Sequence, residues 1–112
     1  MILWYGLVRS ADVPVGGIVA TALGDDDLVI WRDLDGHPHA HEARCPHNWS
    51  HFAGVGEVQG CELVCTTHFW RFTAEGVGFQ RLSDGTHQPM RDLQKFPCRE
   101  HQGWIEVAGK TD

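Results

Sequence analysis

Cys45-Pro46-His47 and Cys65-Thr66-Thr67-His68 constrain this chain more than any other feature. Each pair puts a cysteine first and a histidine second, as C-x-H and then C-x-x-H, with 17 residues between His47 and Cys65. Thiolate and imidazole are both strong metal ligands, so two such pairs ask for a metal centre with mixed sulfur and nitrogen ligation. The fold must bring two separate loops together to build it.

The order within the pairs narrows the metal. A mononuclear zinc site with two cysteines and two histidines is the main competitor, but zinc fingers pair like with like. Unlike pairing lets two thiolates hold one iron while two imidazoles hold a second, as in a two-iron, two-sulfide cluster in which histidines replace two of the four cysteines. Chance placement of unrelated cysteines and histidines is the remaining alternative.

Around these pairs the chain reads as short strands separated by Gly and Asp turns, with no long helical stretch. Strands are predicted over residues 2–8, 18–23, 28–32, 38–43, 62–65, 70–73, 79–82, 95–100 and 104–107. Asp35-Gly36 is a hairpin signal, Gln102-Gly103 joins a closing hairpin, and residues 83–89 read as a polar loop. Nine short strands at this spacing predict an all-β antiparallel sandwich or small barrel. Pro46 stiffens the first ligand loop by fixing its own φ, and Gly54 and Gly56 permit tight turning before the second.

At 112 residues the chain is expected to form one domain, residues 1–112, too small for an oxygenase with its own substrate pocket. A net charge of −6 argues against non-specific nucleic-acid binding and suits a basic partner surface. The apolar run over residues 1–8 is too short for a membrane span or a signal, so a cytoplasmic protein is expected. In a reducing compartment the two remaining cysteines, Cys61 and Cys98, are expected to be thiols buried as small hydrophobes.

Other residues have plainer expectations. His37, His39 and His41 alternate and would share one strand face; a second metal is conceivable there, but Pro38 marks a sheet edge and structural or exposed histidines are the simpler reading. His51, His87 and His101 are expected at the surface, Asp25-Asp26-Asp27 in a solvated turn, and Trp4, Trp31 and Trp104 in the core. Arg44 and Arg71 flank the ligand loops, and either steadies a cluster or pairs with an acid such as Glu42.

Over nearly its whole length the chain resembles the Rieske [2Fe–2S] family, in particular the N-terminal Rieske domain of ring-hydroxylating oxygenases and their small Rieske ferredoxins. The resemblance is carried by Trp4-Tyr5, Trp31-Arg32-Asp33, Arg44-Cys45-Pro46-His47, Leu63-Val64-Cys65, His68, Trp70-Arg71-Phe72 and Gly76. It implies an antiparallel β-sandwich with a cluster-binding subdomain at about residues 43–72. It also implies that Cys45 and Cys65 bind the buried iron, that His47 and His68 bind the outer one, and that one electron passes through the histidine edge.

The departures are informative. The respiratory branch of the family bridges its loops with two further cysteines; the matching positions here are Ser50 and Thr67, so no loop disulfide is possible. That branch also has a serine where this chain has Trp70. Without that hydroxyl a potential near the low end of the Rieske range is expected, on the order of −150 mV. Phe69 stands where the family usually has glycine, and Trp49 replaces a small residue, so φ > 0 at Phe69 would mean strain. Both aromatics would either pack the loops or form a docking face.

The resemblance implies a one-electron carrier between a ferredoxin reductase and a terminal oxygenase, binding neither nucleic acid nor membrane. The alternative is a separately encoded Rieske component of an aromatic-ring or similar oxygenase whose catalytic iron domain lies on another chain. No two-histidine, one-carboxylate iron site is visible, so no hydroxylation is expected from this chain alone. A third reading is a non-redox centre that only closes the fold.

Overall fold

The computed structural model describes residues 2–109. Met1, which opens the apolar N-terminal run, lies outside them. The described residues form three antiparallel sheets. In the first, β1 (Trp4–Arg9) pairs with β12 (Trp104–Ala108), which pairs with β11 (Cys98–His101). The second has the order β10 (Lys95–Phe96), β4 (Pro38–Glu42), β3 (Asp26–Arg32), β2 (Ile18–Leu23). The third runs in chain order through β5 (Gly56–Gln59), β6 (Glu62–Cys65), β7 (Trp70–Thr73), β8 (Gly78–Arg81) and β9 (His87–Pro89). A one-turn helix, α1 (Phe52–Val55), precedes β5.

The third sheet is an excursion from the second. The chain leaves after β4, builds five strands, and returns as β10 beside β4, with Lys95 opposite His41 and Phe96 opposite Ala40. The seam is closed by Glu42 N–H to the Gln94 carbonyl at 3.0 Å and by Gln94 N–H to Glu42 Oε1 at 2.8 Å. Both ligand loops lie inside this excursion.

β3 sets the interior. Its run Leu28-Val29-Ile30-Trp31-Arg32 is buried throughout, as expected of a strand covered on both faces. Successive side chains alternate, so Leu28 and Ile30 pack with Val13, Phe96, Ile105 and Val107, while Val29 and Trp31 pack with Cys45, Phe52, Leu63, Cys65 and Phe72. The second cluster is the floor of the ligand loops, and each fully buried large apolar side chain there contributes about 1.5–3 kcal/mol.

Arg32 ends β3 and clamps its surroundings. Its Nε donates to the Val13 carbonyl at 2.7 Å, and its two terminal nitrogens reach the carbonyls of Gly36 and Ser10 and both carboxylate oxygens of Glu100 at 2.8–3.1 Å. Gly76 marks a close crossing: its φ is +87°, and a Cβ there would lie 2.2 Å from the Leu93 carbonyl oxygen. Only glycine lets the segment before β10 lie over the β7–β8 turn, where Leu93 N–H donates to the Gly76 carbonyl at 2.8 Å.

The antiparallel all-β expectation holds, with corrections. Residues 83–89 are not all loop, because β9 pairs with β8. The strand expected over 95–100 is two strands in different sheets, divided at Pro97, which has no N–H for a ladder. Trp31 is fully buried, but Trp4 and Trp104 lie nearer the surface, where Arg99 and Arg9 stack over their rings at 4.2 and 4.8 Å. Cys61 is exposed rather than buried, and its thiol meets Asp35 Oδ2 at 3.3 Å. Cys98 is partly buried against the Pro38 carbonyl, and both cysteines are free thiols.

Candidate metal centre

The first ligand loop joins β4 to α1, and the second joins β6 to β7. Cys65 is the last residue of β6, and Cys45 projects into the same apolar floor; both are 0% exposed. Each loop then closes in the same way. Trp49 N–H donates to the Cys45 carbonyl at 2.8 Å, and Phe69 N–H donates to the Cys65 carbonyl at 2.8 Å. The residue four after each cysteine therefore turns the chain, at φ +64° for Trp49 and +61° for Phe69. This is the left-handed region, which costs an L-residue about 1–2 kcal/mol relative to its ordinary conformation. The strain foreseen for Phe69 is present, and Trp49 shares it.

Both aromatics stay largely exposed, Trp49 at 66% and Phe69 at 57%. His47 is partly buried and His68 exposed, with ring centroids 4.7 Å apart and His47 Nε2 in direct contact with His68 Nδ1. His47 Nδ1 lies 3.1 Å from Cys45 Sγ, and Trp70 stacks on the His47 ring at 4.6 Å. The ligand atoms of Cys45, His47 and Cys65 all lie within 4.8 Å of one another, and His68 adjoins them through His47.

Burial, joined by the neighbouring Cys65 and opposed by hydrogen bonds from the His47 and Asn48 amides, pushes the Cys45 thiol up to about 11. Burial, followed by the charge of His68, holds His47 below the usual imidazole range. A metal entering this pocket must therefore displace the Cys45 thiol proton but meets a neutral imidazole at His47. Two dry thiols beneath two outer imidazoles is the donor set that a mixed-ligand two-iron cluster requires.

The other candidates resolve into structural roles. His39 Nε2 contacts Asp33 Oδ2 at 2.8 Å, exposed His37 lies 3.7 Å from the same oxygen, and fully buried His41 accepts the Trp31 indole N–H at 3.0 Å, so the three do not converge on one ion. Asp33 Oδ1 also accepts the Asp35 and His37 amides, bracketing the β3–β4 hairpin. Arg71 pairs with Glu62 and Gln59 across the third sheet, and Arg44 holds the Trp49 carbonyl. His51 caps α1 by accepting the Ala53 amide, His87 and His101 are exposed, and Asp25–Asp27 is solvated as expected, although Asp26 and Asp27 open β3 rather than lie in the turn.

Three supporting residues were not foreseen. Asn48 and Thr67 hydrogen-bond across the loops at 2.9 Å, and Gln80 of β8 donates to the His68 carbonyl at 3.1 Å. The signal for Asn48 was its residue type in a turn, where its Oδ1 accepts the Ser50 amide. Gln80 left no local signal, because the contact depends on β7–β8 pairing.

The family model for the Rieske [2Fe-2S] domain matches residues 3–97. The chain belongs to the Rieske [2Fe–2S] family. It is thus an electron-carrier domain of the type that binds a two-iron, two-sulfide cluster. It is 29% identical over 105 residues to the oxidoreductase NdmD of Pseudomonas putida, covering 91% of this chain and 18% of that protein. To the 4beta-methylsterol monooxygenase of Methylococcus capsulatus it is 35% identical over 108 residues, covering 91% and 28%. In fold it matches a chain of an oxygenase–ferredoxin complex of carbazole 1,9a-dioxygenase with a TM-score of 0.78 at 23% identity, over 93% of this chain and 28% of that one. The Rieske chain thus spans between a sixth and a third of the length of these relatives. No helix among the described residues is long and apolar enough to cross a membrane.

Proposed function

We propose that this Rieske domain, residues 1–112 taken as one unit, is a cytoplasmic ferredoxin-type one-electron carrier. It takes an electron from a ferredoxin reductase and passes it to a terminal oxygenase, with no role toward nucleic acid or membrane. In this reading Cys45 and Cys65 hold the inner iron and His47 and His68 the outer one. When bound, the [2Fe–2S] cluster accepts and releases one electron. The protein's part is to keep the thiolates dry, to hold the two imidazoles at the accessible end, and to offer that end to a partner.

The observation that carries this reading is the gradient across the site. The two thiols are fully buried, His47 is partly buried and His68 is exposed, on loops that also carry the largely exposed Trp49 and Phe69. An electron leaving by the shortest route would exit at the exposed His68 edge. Exposed apolar surface beside such a route suits a transient protein partner, and the acidic balance of the chain suits a basic one.

Spectroscopy on anaerobically purified protein tests the centre. A brown protein with iron and sulfide in equal amounts, and a reduced-state EPR signal of a mixed-ligand two-iron cluster, is expected. A colourless zinc protein overturns the reading. The alternative is a separate Rieske component of an oxygenase whose catalytic iron domain lies on another chain, and it is favoured by the oxygenase-like residues Trp4-Tyr5 and Trp70-Arg71-Phe72. Stable co-purification with a larger iron-containing subunit distinguishes it from a ferredoxin that exchanges freely.

A further inference from the structure

With Ser50 and Thr67 at the facing positions of the loops, no covalent bond joins them, yet a directed hydrogen-bond chain does. Asn48 Oδ1 accepts the Ser50 backbone N–H at 3.0 Å. A backbone N–H can only donate, so this contact fixes which end of the Asn48 amide is oxygen. The amide nitrogen therefore faces Thr67 Oγ1, at 2.9 Å. That nitrogen can only donate, so the Thr67 hydroxyl must accept from it. The single hydroxyl proton of Thr67 is then free for another partner, and Cys65 Sγ lies 3.0 Å away. A metal-bound thiolate has no proton to give. The chain can run in one direction only: Asn48 to Thr67 to Cys65.

We infer that Thr67 is the positioning residue that ties the second ligand loop to the first and sets the reduction potential through Cys65. The inference rests on the assignment of Cys65 as a cluster ligand. Its physical basis is that a donor to a ligand sulfur stabilises the reduced, more negative cluster more than the oxidised one. Trp70 has no hydroxyl to offer the centre, so the proton donated by Thr67 is the side-chain O–H that the second loop directs at sulfur. Donation from Asn48 polarises that O–H and strengthens it as a donor.

The test compares wild type, Thr67→Val and Thr67→Ser as full-length cluster-loaded proteins, with midpoint potentials from EPR-monitored redox titration. Loss of one such hydrogen bond is expected to weaken reduction roughly fivefold, a negative shift of about 40 mV at 59 mV per tenfold for one electron. Thr67→Ser, which restores the hydroxyl, should return to the wild-type potential. Equal potentials in wild type and Thr67→Val, both carrying the cluster, overturn the inference. So does a Thr67→Ser protein that stays shifted with the valine variant. If Thr67→Val does not retain a cluster, Thr67→Ala is read in the same way. Absence of the two-iron EPR signal from wild type would instead overturn the ligand assignment beneath it.

Discussion

His41 should make the fold acid-sensitive well above the carboxylate range. The ring is fully buried, and its Nδ1 accepts the Trp31 indole N–H at 3.0 Å, so its proton must sit on Nε2, which has no hydrogen-bond partner among the described residues. Charging the ring would place a second proton on Nδ1, breaking the Trp31 bond and leaving a cation in the interior. Burial, helped by His39 and Lys95 and opposed by the Ala74 backbone and Glu75, lowers the His41 pKa from 6.5 to about 4. The unfolded chain therefore takes up this proton before the folded one does. Stability is unaffected above pH about 6.5, falls by about 1.4 kcal/mol per pH unit below that, and levels off below pH about 4, for a total near 3 kcal/mol. At pH 5 the loss is about 2 kcal/mol, a large fraction of a typical 5–15 kcal/mol. Urea denaturation at pH 7.5, 6 and 5 should show it, and His41→Gln, which keeps an acceptor for Trp31 but cannot charge, should flatten the dependence. NMR should find the His41 ring neutral, with its proton on Nε2, at pH 5.5. A ring titrating near 6.5, or identical pH slopes in wild type and His41→Gln, would refute the reasoning.

Further outcomes follow from other features. Arg32→Met leaves the Val13 and Gly36 carbonyls without their donor, while the Ser10 carbonyl keeps the Val13 amide, and should cost about 2–4 kcal/mol in denaturant unfolding, whereas Glu100→Gln, whose side chain is 39% exposed, should cost only about 1 kcal/mol. Trp49→Gly and Phe69→Gly should leave the cluster's optical spectrum and potential in place but raise the KM for the electron-accepting partner; an unchanged KM would show that the rings do not dock. The midpoint potential should lie on the order of −150 mV and fall as pH rises through the alkaline range, because the free ring nitrogens of two ligand histidines lose protons there. A value above about +100 mV, or a flat response, would contradict this.

The ligand pairs and strands such as β2, β6 and β7 could be read from sequence because each rests on local information: residue type, alternation and turn chemistry. β5 and β9 could not. Gly56-Glu57-Val58-Gln59 and His87-Gln88-Pro89 show no apolar alternation, and they are strands only because β6 and β8 pair with them. The exposure of Cys61, Trp4 and Trp104 was hidden for a related reason, since each depends on what lies across from it. In the site, the four candidate ligands were legible as a pattern. The backbone at Trp49 and Phe69 was half legible, as a departure from glycine, and only the paired φ values show that both loops turn identically. The Asn48–Thr67–Cys65 chain was not legible, because its first link crosses between the two loops and depends on which end of the Asn48 amide is oxygen.

The two-faced burial of β3 has a consequence for how accurately the thiols are placed. A strand with water on one side can slip by a residue at the expense of one interior. Here a slip of one residue would send Leu28 and Ile30 beneath the ligand loops and Val29 and Trp31 toward β12, spoiling both interiors together. A slip of two would keep the alternation but pull Arg32 away from its three carbonyls and from Glu100. Errors of either parity are thus penalised in places remote from the metal site. Strand alignment is checked against the pairing of the two ends of the chain, and the depth at which Cys45 and Cys65 sit inherits that check.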